Sequence, residues 1–428
     1  MSTLGRSGYG ERGPGRRSWG VTIVSDLHLS RHCDPHHAGH DLHDAGFARF
    51  LDHVRRRAAE RCSNWRLVIL GDLVDLPDAG APPGEAIAEL TRVATGHPQL
   101  LRAVGAFMAA GLQIDVVAGN HDVALLRSAV RERLAELIPA GDGGTGVPGS
   151  MAFHPWIFHI PGVLYAEHGS QYHDITAVPA LLGLDGGKDR RPAGQPLIAE
   201  LERYRGRLRE RRTRPGQAAA LVGAGQESLR FAAVLARQAL ALSGPELARR
   251  RDRYHGLTLR QYATQVGITH DTLVGIDDLT AASAWSIATR LVRTWVVGPS
   301  VRAARNLSVG RGRSPDPLWQ PADRAAYLRS AWPAIHHLLR AAGQAVPFYV
   351  FGHTHHAEEL PLVDGTARYL NTGTWKMSPE RTAPAPGTFV EITGEPGTIE
   401  PVAKLLRWND ELGHPQALSP VDGAHEAW

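Results

Sequence analysis

VTIVSDLH, residues 21–28, is an apolar, β-branched run that ends in a carboxylate and an imidazole two positions apart. In an extended chain residues i and i+2 share a face, so Asp26 and His28 can grip one ion. The arrangement returns along the chain. RLVIL (66–70) leads into Gly71-Asp72-Leu73-Val74-Asp75, and QIDVVA (113–118) into Gly119-Asn120-His121-Asp122. VLYAE (163–167) leads into His168-Gly169, and VPFYVF (346–351) into Gly352-His353-Thr354-His355. Each apolar run reads as a buried strand, and each ends in metal-binding chemistry. One such motif in a chain of 428 residues arises readily by accident. Five in order, each at a strand end, do not. Oxygen and imidazole donors without thiolate suit Mn²⁺, Fe or Zn²⁺ in an open hydrolytic site. The flanking glycines permit sharp turns and leave room for a substrate.

Between these strands, FARFLDHVRRRAAERC (47–62) and the run from Gly84 to Gly111 space apolar residues at helical period. Strands separated by helices predict a layered α/β domain. From 179 to 345 the pattern turns mostly helical, as in QESLRFAAVLARQALAL and PADRAAYLRSAWPAIHHLLRAAG. Strand patterns resume with VPFYVFGHTH, ARYLNTGTW (367–375), GTFVEIT (387–393) and EPVAKLLRW (400–408). The expected organisation is a disordered lead-in (1–19), a core (20–178 and 346–408), a helical insertion (179–345) and an unpaired tail (409–428).

Net charge is +4, but 179–345 carries 26 Lys+Arg against 13 Asp+Glu, so the remainder is net −9. A basic segment of this kind concentrates anionic partners. Only Cys33 and Cys62 are present, which excludes a disulfide framework. No apolar run is long enough for a transmembrane segment, and residues 1–20 lack a signal-peptide core, so the cytoplasm is the expected location. The stretch 30–44 is crowded with histidine (His32, His36, His37, His40, His43) and reads as a solvated polar loop.

The five blocks D-x-H, G-D-x-x-D, G-N-H-D, His-Gly and G-H-x-H resemble the ordered signature of the calcineurin-like metallophosphoesterase superfamily. The resemblance covers roughly residues 20–175 and 346–408. It implies a β-sandwich flanked by helices, here with a large insertion. It also implies two divalent metal ions, most naturally Mn, with Fe or Zn as alternatives. Asp26, His28, Asp72 and His355 would hold one ion, and Asp72, Asn120, His168 and His353 the other. A metal-activated hydroxide would then attack phosphorus. His121 would protonate the leaving oxygen, oriented by Asp75 on the family pattern, with Asp122 as the alternative partner. Asn371 would fix the turn after the last ligand strand.

Departures from the family's branches narrow the substrate. Protein phosphatases continue the second block as GDxxDRG, whereas Leu76-Pro77 follow Asp75 here. The chain is more similar in motif style to UDP-2,3-diacylglucosamine pyrophosphohydrolases. Those carry Arg at the position of His121 and a shorter insertion. Tyr172 and His173 follow His168 closely and are candidate substrate contacts; an insertion between His168 and His353 must emerge beside the site, which adds Arg205 and Arg209. Asp174 is a further polar neighbour. The expected partner is an anionic phosphoester: a nucleotide, a lipid-linked diphosphate or a nucleic acid, with peripheral membrane contact as a further role. A nuclease and a non-catalytic metal-binding scaffold are the competing functions.

Overall fold

The computed structural model describes residues 18–31, 44–61, 64–77, 81–141, 149–173, 176–178, 257–280, 321–362, 365–376, 386–394 and 400–418. Arg205, Arg209, Asp174 and the histidines of the 30–44 stretch lie outside these residues.

The first half is built from parallel crossovers. Strand β1 (Trp19–Val24) is followed by α1 (Asp44–Glu60) and β2 (Asn64–Leu70). Helices α2 (Pro83–Gly96) and α3 (Pro98–Ala109) then lead to β3 (Gln113–Val117), and α4 (Ser128–Leu137) to β4 (Met151–His154). These four strands pair in parallel, while β10 (Thr388–Gly394), β11 (Val402–Asn409) and β12 (His414–Ala417) extend the sheet antiparallel. The result is a seven-stranded sheet ordered β12-β11-β10-β1-β2-β3-β4. A second sheet of five strands runs β5-β6-β7-β9-β8. Its members are β5 (Ile157–Ile160), β6 (Leu164–Glu167), β7 (Phe348–Phe351), β8 (Ala357–Pro361) and β9 (Arg368–Thr372). Strands β6, β7 and β9 are mutually parallel.

Alternation along the strands decides how the layers stack. Val21 and Ile23 of β1, Val68 and Leu70 of β2, and Val390 and Ile392 of β10 point to one side. They pack there with Leu164, Ala166, Phe348, Val350 and Leu370 of the second sheet, so the two sheets face each other across one core. The opposite face of the first sheet is covered by α1–α4 through Phe47, Phe50, Leu90, Phe107 and Leu134. The outer face of the second presents Tyr165, Tyr349, Phe351 and Tyr369. It is covered by α5 (Leu257–Val266), α6 (His270–Thr280) and α7 (Pro321–Ala341). These three helices are the described part of the 179–345 stretch. No helix among the described residues is long and apolar enough to cross a membrane.

The expected unpaired tail needs correction, because His414–Ala417 forms β12 against β11. The reversal is local: Gly413 takes a positive φ of 67°, and the Asn409 side chain accepts from the Leu412 amide at 3.0 Å. Proline and glycine there mark a hairpin turn rather than the end of pairing.

Candidate metal centre

The carboxyl ends of the parallel strands in both sheets converge on one place, the position at which α/β sheets characteristically leave a crevice. Strand β1 delivers Asp26 and His28, β2 delivers Asp72 and Asp75, and β3 delivers Asn120 and His121. From the second sheet β6 delivers His168, and β7 delivers His353 and His355. Beyond the strands the first two loops remain paired. The Asp26 amide donates to Gly71 O (3.1 Å) and the His28 amide to Asp72 O (2.9 Å).

Among the described residues, the non-glycine positions with positive φ are Asp26 (54°), His28 (49°), Asp72 (54°), His353 (68°) and His355 (59°). All five are expected metal ligands. Such left-handed backbone persists in non-glycine residues only where the surroundings impose it.

The side chains meet closely. His28 Nε2 lies 3.1 Å from His355 Nε2, and His355 Nε2 is 3.2 Å from Asp26 Oδ1. Asp72 Oδ2 sits 3.6 Å from His28 Nε2 on one side and 3.2 Å from His168 Nε2 on the other. His168 Nε2 is also 3.3 Å from Asn120 Oδ1. Three donor groups of this kind can each hold a metal ion: Asp26, His28 and His355; His28, Asp72 and His121; Asp72, His168 and His353. Asp26, His28, Asp72 and His168 form a buried floor, while Asn120, His353 and His355 are part-exposed and His121 is exposed at the rim.

Contacts outside the cluster aim the donors inward. His28 Nδ1 donates to Asp75 Oδ1 (2.7 Å) and His168 Nδ1 to Leu70 O (2.9 Å), which leaves each Nε2 lone pair facing the cluster. Asp26 Oδ2 accepts from Ser25 Oγ and from the His353 amide (2.9 Å). Its Oδ1 is buried without a hydrogen-bond partner. An orphaned carboxylate oxygen beside two imidazole nitrogens fits a divalent cation.

Protonation favours the same occupant. Burial opposes the charge of Asp26, but His355 and His168 outweigh it and hold the carboxyl at about 2. Asp72 and Asp75 also lie well below the usual range: burial opposes both charges, but the surrounding imidazoles prevail. Burial keeps His28 and His353 neutral. For His168, burial is outweighed by Asp72 and Asp26, which raise it to about 10, so without metal its proton supplies positive charge to the floor. Apart from His168, whose proton a metal ion would displace, these groups already hold the ionised carboxylates and neutral imidazoles that coordination requires.

At the rim, His121 Nδ1 is 3.1 Å from Asp75 Oδ1, the oxygen that also accepts from His28. The protein crowded around the inner side of the His121 ring would lower its pKa, but Asp72 and the hydrogen bond to Asp75 raise it to about 9. The alternative partnership with Asp122 does not form. Its oxygens accept from the Gly119 and Leu73 amides at 2.7 Å each, so the carboxylate stitches two loops together. Tyr172 also departs from expectation: it is buried and its hydroxyl donates to Glu167 (2.7 Å) rather than facing a substrate. His173 lies beside the cluster, 5.5 Å from the His353 ring and stacked on Tyr327 of α7. Asn371 bridges Gly352 O (2.9 Å) and the Gly373 amide (3.1 Å), fixing the turn before His353.

Two contributors were missed in the sequence. Glu167, fully buried, accepts from Tyr165 and Tyr172 (2.7 Å each) and from Trp156 (2.5 Å), anchoring the loop after His168. Thr176 Oγ1 lies 3.1 Å from His353 Nε2. Neither belongs to a motif; the adjacency of Glu167 to His168 was the one available signal.

No family model matches the chain, and no curated protein matches it. Among solved structures, phosphopantetheinyl hydrolase from Mycobacterium tuberculosis aligns over 87% of this chain and 99% of its own, at 12% identity and a TM-score of 0.27. Likeness at that level assigns neither fold nor activity.

Proposed function

We propose that the chain is a metal-dependent phosphoric ester hydrolase of the calcineurin-like metallophosphoesterase type, with a binuclear centre. The observation that carries the reading is the coincidence of left-handed backbone with donor side chains at Asp26, His28, Asp72, His353 and His355. Asp26, His28, Asp72 and His355 would hold one ion. Asp72, Asn120, His168 and His353 would hold the second, with Asp72 Oδ2 facing the donors of both. Two divalent cations, Mn²⁺ in this reading, supply Lewis-acid activation of water and neutralise charge on the phosphoryl oxygens when bound.

The chain's own residues do the rest. Asp75 fixes the Nδ1 side of His121, which turns the remaining ring nitrogen to the exposed rim, where a leaving oxygen can take its proton. The single acceptor oxygen of Asp75 couples that acid to His28 on the floor. The substrate in this reading is an anionic phosphodiester, pyrophosphate or phosphomonoester, drawn in by the basic 179–345 segment. A nuclease using the same site would differ by steep loss of binding with salt.

The test is turnover of bis-p-nitrophenyl phosphate, p-nitrophenyl phosphate, a nucleoside diphosphate conjugate and single-stranded DNA with Mn²⁺. Asp72→Ala is expected to abolish activity, and His121→Ala to lower it by roughly 10²–10⁴-fold. Wild-type turnover in Asp72→Ala would sink the reading.

A further inference from the structure

The hydroxyl of Thr176 is surrounded by three polar groups. His353 Nε2 lies 3.1 Å away, His173 Nδ1 also 3.1 Å, and the Ser170 carbonyl oxygen 3.3 Å. A hydroxyl has one proton and two lone pairs. The carbonyl can only accept, so the proton goes to Ser170 O. Both imidazole nitrogens must then donate N–H to Oγ1. The capacity of the hydroxyl is thereby filled, and the tautomer of each ring is set. Satisfying all three contacts at once therefore requires the His353 proton on Nε2, which leaves Nδ1 as the nitrogen with a lone pair.

We propose that Thr176 is a positioning residue that selects the metal-binding tautomer of His353. The inference rests on the reading of the cluster of Asp72, His168 and His353 as a metal site. Among the described residues, the two imidazoles of the floor are oriented by a carboxylate or a backbone carbonyl, Asp75 for His28 and Leu70 O for His168. Thr176 supplies the corresponding contact for His353 with a neutral hydroxyl. Partners of this kind fix both ring orientation and ligand basicity, and their loss weakens metal binding by about 10–100-fold. A hydroxyl adds no charge, so the site it serves keeps the net charge set by Asp72 alone.

The test compares wild type, Thr176→Ser and Thr176→Val, stripped with chelator and titrated with Mn²⁺, with free ion read by electron paramagnetic resonance. Wild type and Thr176→Ser are expected to bind two ions with similar affinities. Thr176→Val keeps the volume and loses the hydroxyl, and is expected to bind one ion normally and the other about 10–100-fold more weakly. Two tight sites in Thr176→Val would overturn the inference while leaving the metal reading intact. Absence of binding by wild type would instead overturn the metal reading. A second measurement needs no variant that could fail to fold at this position. In Zn²⁺-loaded protein labelled with ¹⁵N-histidine, the His353 signals, assigned by their loss in His353→Gln, should show the proton on Nε2; a proton on Nδ1 would overturn the proposal.

Discussion

Gly119 and Asp72 are packed so closely that a Cβ on the glycine would lie 2.2 Å from the carboxylate Oδ1 and 2.4 Å from the Asp72 amide nitrogen. Asp72 is held at both ends: its carbonyl oxygen accepts from the His28 amide at 2.9 Å, and Oδ1 accepts from the His121 amide at 2.9 Å. Gly119→Ala is therefore expected to displace the shared carboxylate, reduce bound metal below two ions per chain and destabilise the fold by about 1–3 kcal/mol. Metal content by mass spectrometry and chemical denaturation check this. Gly84→Ala in α2, where nothing lies within 4 Å, is expected to retain full metal content.

Asp75 Oδ1 serves two imidazoles at once, His28 at 2.7 Å and His121 at 3.1 Å. Asp75→Asn is expected to lower kcat by about 10²–10⁴-fold, the same loss expected of His121→Ala. Residues acting as a unit are non-additive, so the double variant should lose little more than either single one. Steady-state kinetics on one substrate complete the cycle; multiplicative losses would separate the two residues.

Glu167 gives stability a pH dependence. Burial raises its carboxyl to about 7, against the opposing pull of Tyr172, Tyr165 and Trp156. A carboxyl that binds its proton more tightly when folded stabilises most below its unfolded pKa, near 4.5. That contribution is lost as pH rises towards 7. Its full amplitude is about 3 kcal/mol. In chelator-treated protein, Glu167→Gln should flatten the fall in unfolding free energy between pH 5 and pH 7 relative to wild type, at roughly constant denaturant slope. An unchanged profile would show that Glu167 stays ionised throughout.

Metal removal should cost stability in proportion to affinity. With free Mn²⁺ about a thousandfold above its Kd, a site that binds only the folded chain contributes about 4 kcal/mol. Differential scanning calorimetry is expected to show a lower Tm after chelation in wild type and a much smaller change in Asp72→Ala.

The donors could be read from the sequence because each follows a short, near-continuous apolar run that breaks off into glycine and polar residues, which marks where a buried strand stops. Those runs became β1, β2, β3, β6 and β7, and their ends meet. Strands β4, β5 and β8 were less legible: they are no shorter than β6 and β7, but no block of donor residues follows them to mark where they end. The choice between Asp75 and Asp122 as partner of His121 depended on which amides the carboxylates reach. Spacing along the chain does not encode that. Thr176 was invisible for a related reason, since its partner His353 is 177 positions away. Tyr172 shows the converse, as its proximity in sequence to His168 suggested exposure to substrate while its ring belongs to the core.

Five donor residues in left-handed backbone carry a conformational cost of order 1–3 kcal/mol each. Glycine would relieve it at every one of them, but would remove the donor. Selection for stability and selection for chemistry therefore pull in opposite directions at Asp26, His28, Asp72, His353 and His355. In a lineage released from the activity, these positions would be among the first to drift towards glycine or asparagine. Their identity in any descendant would then be a running record of whether the centre is still in use.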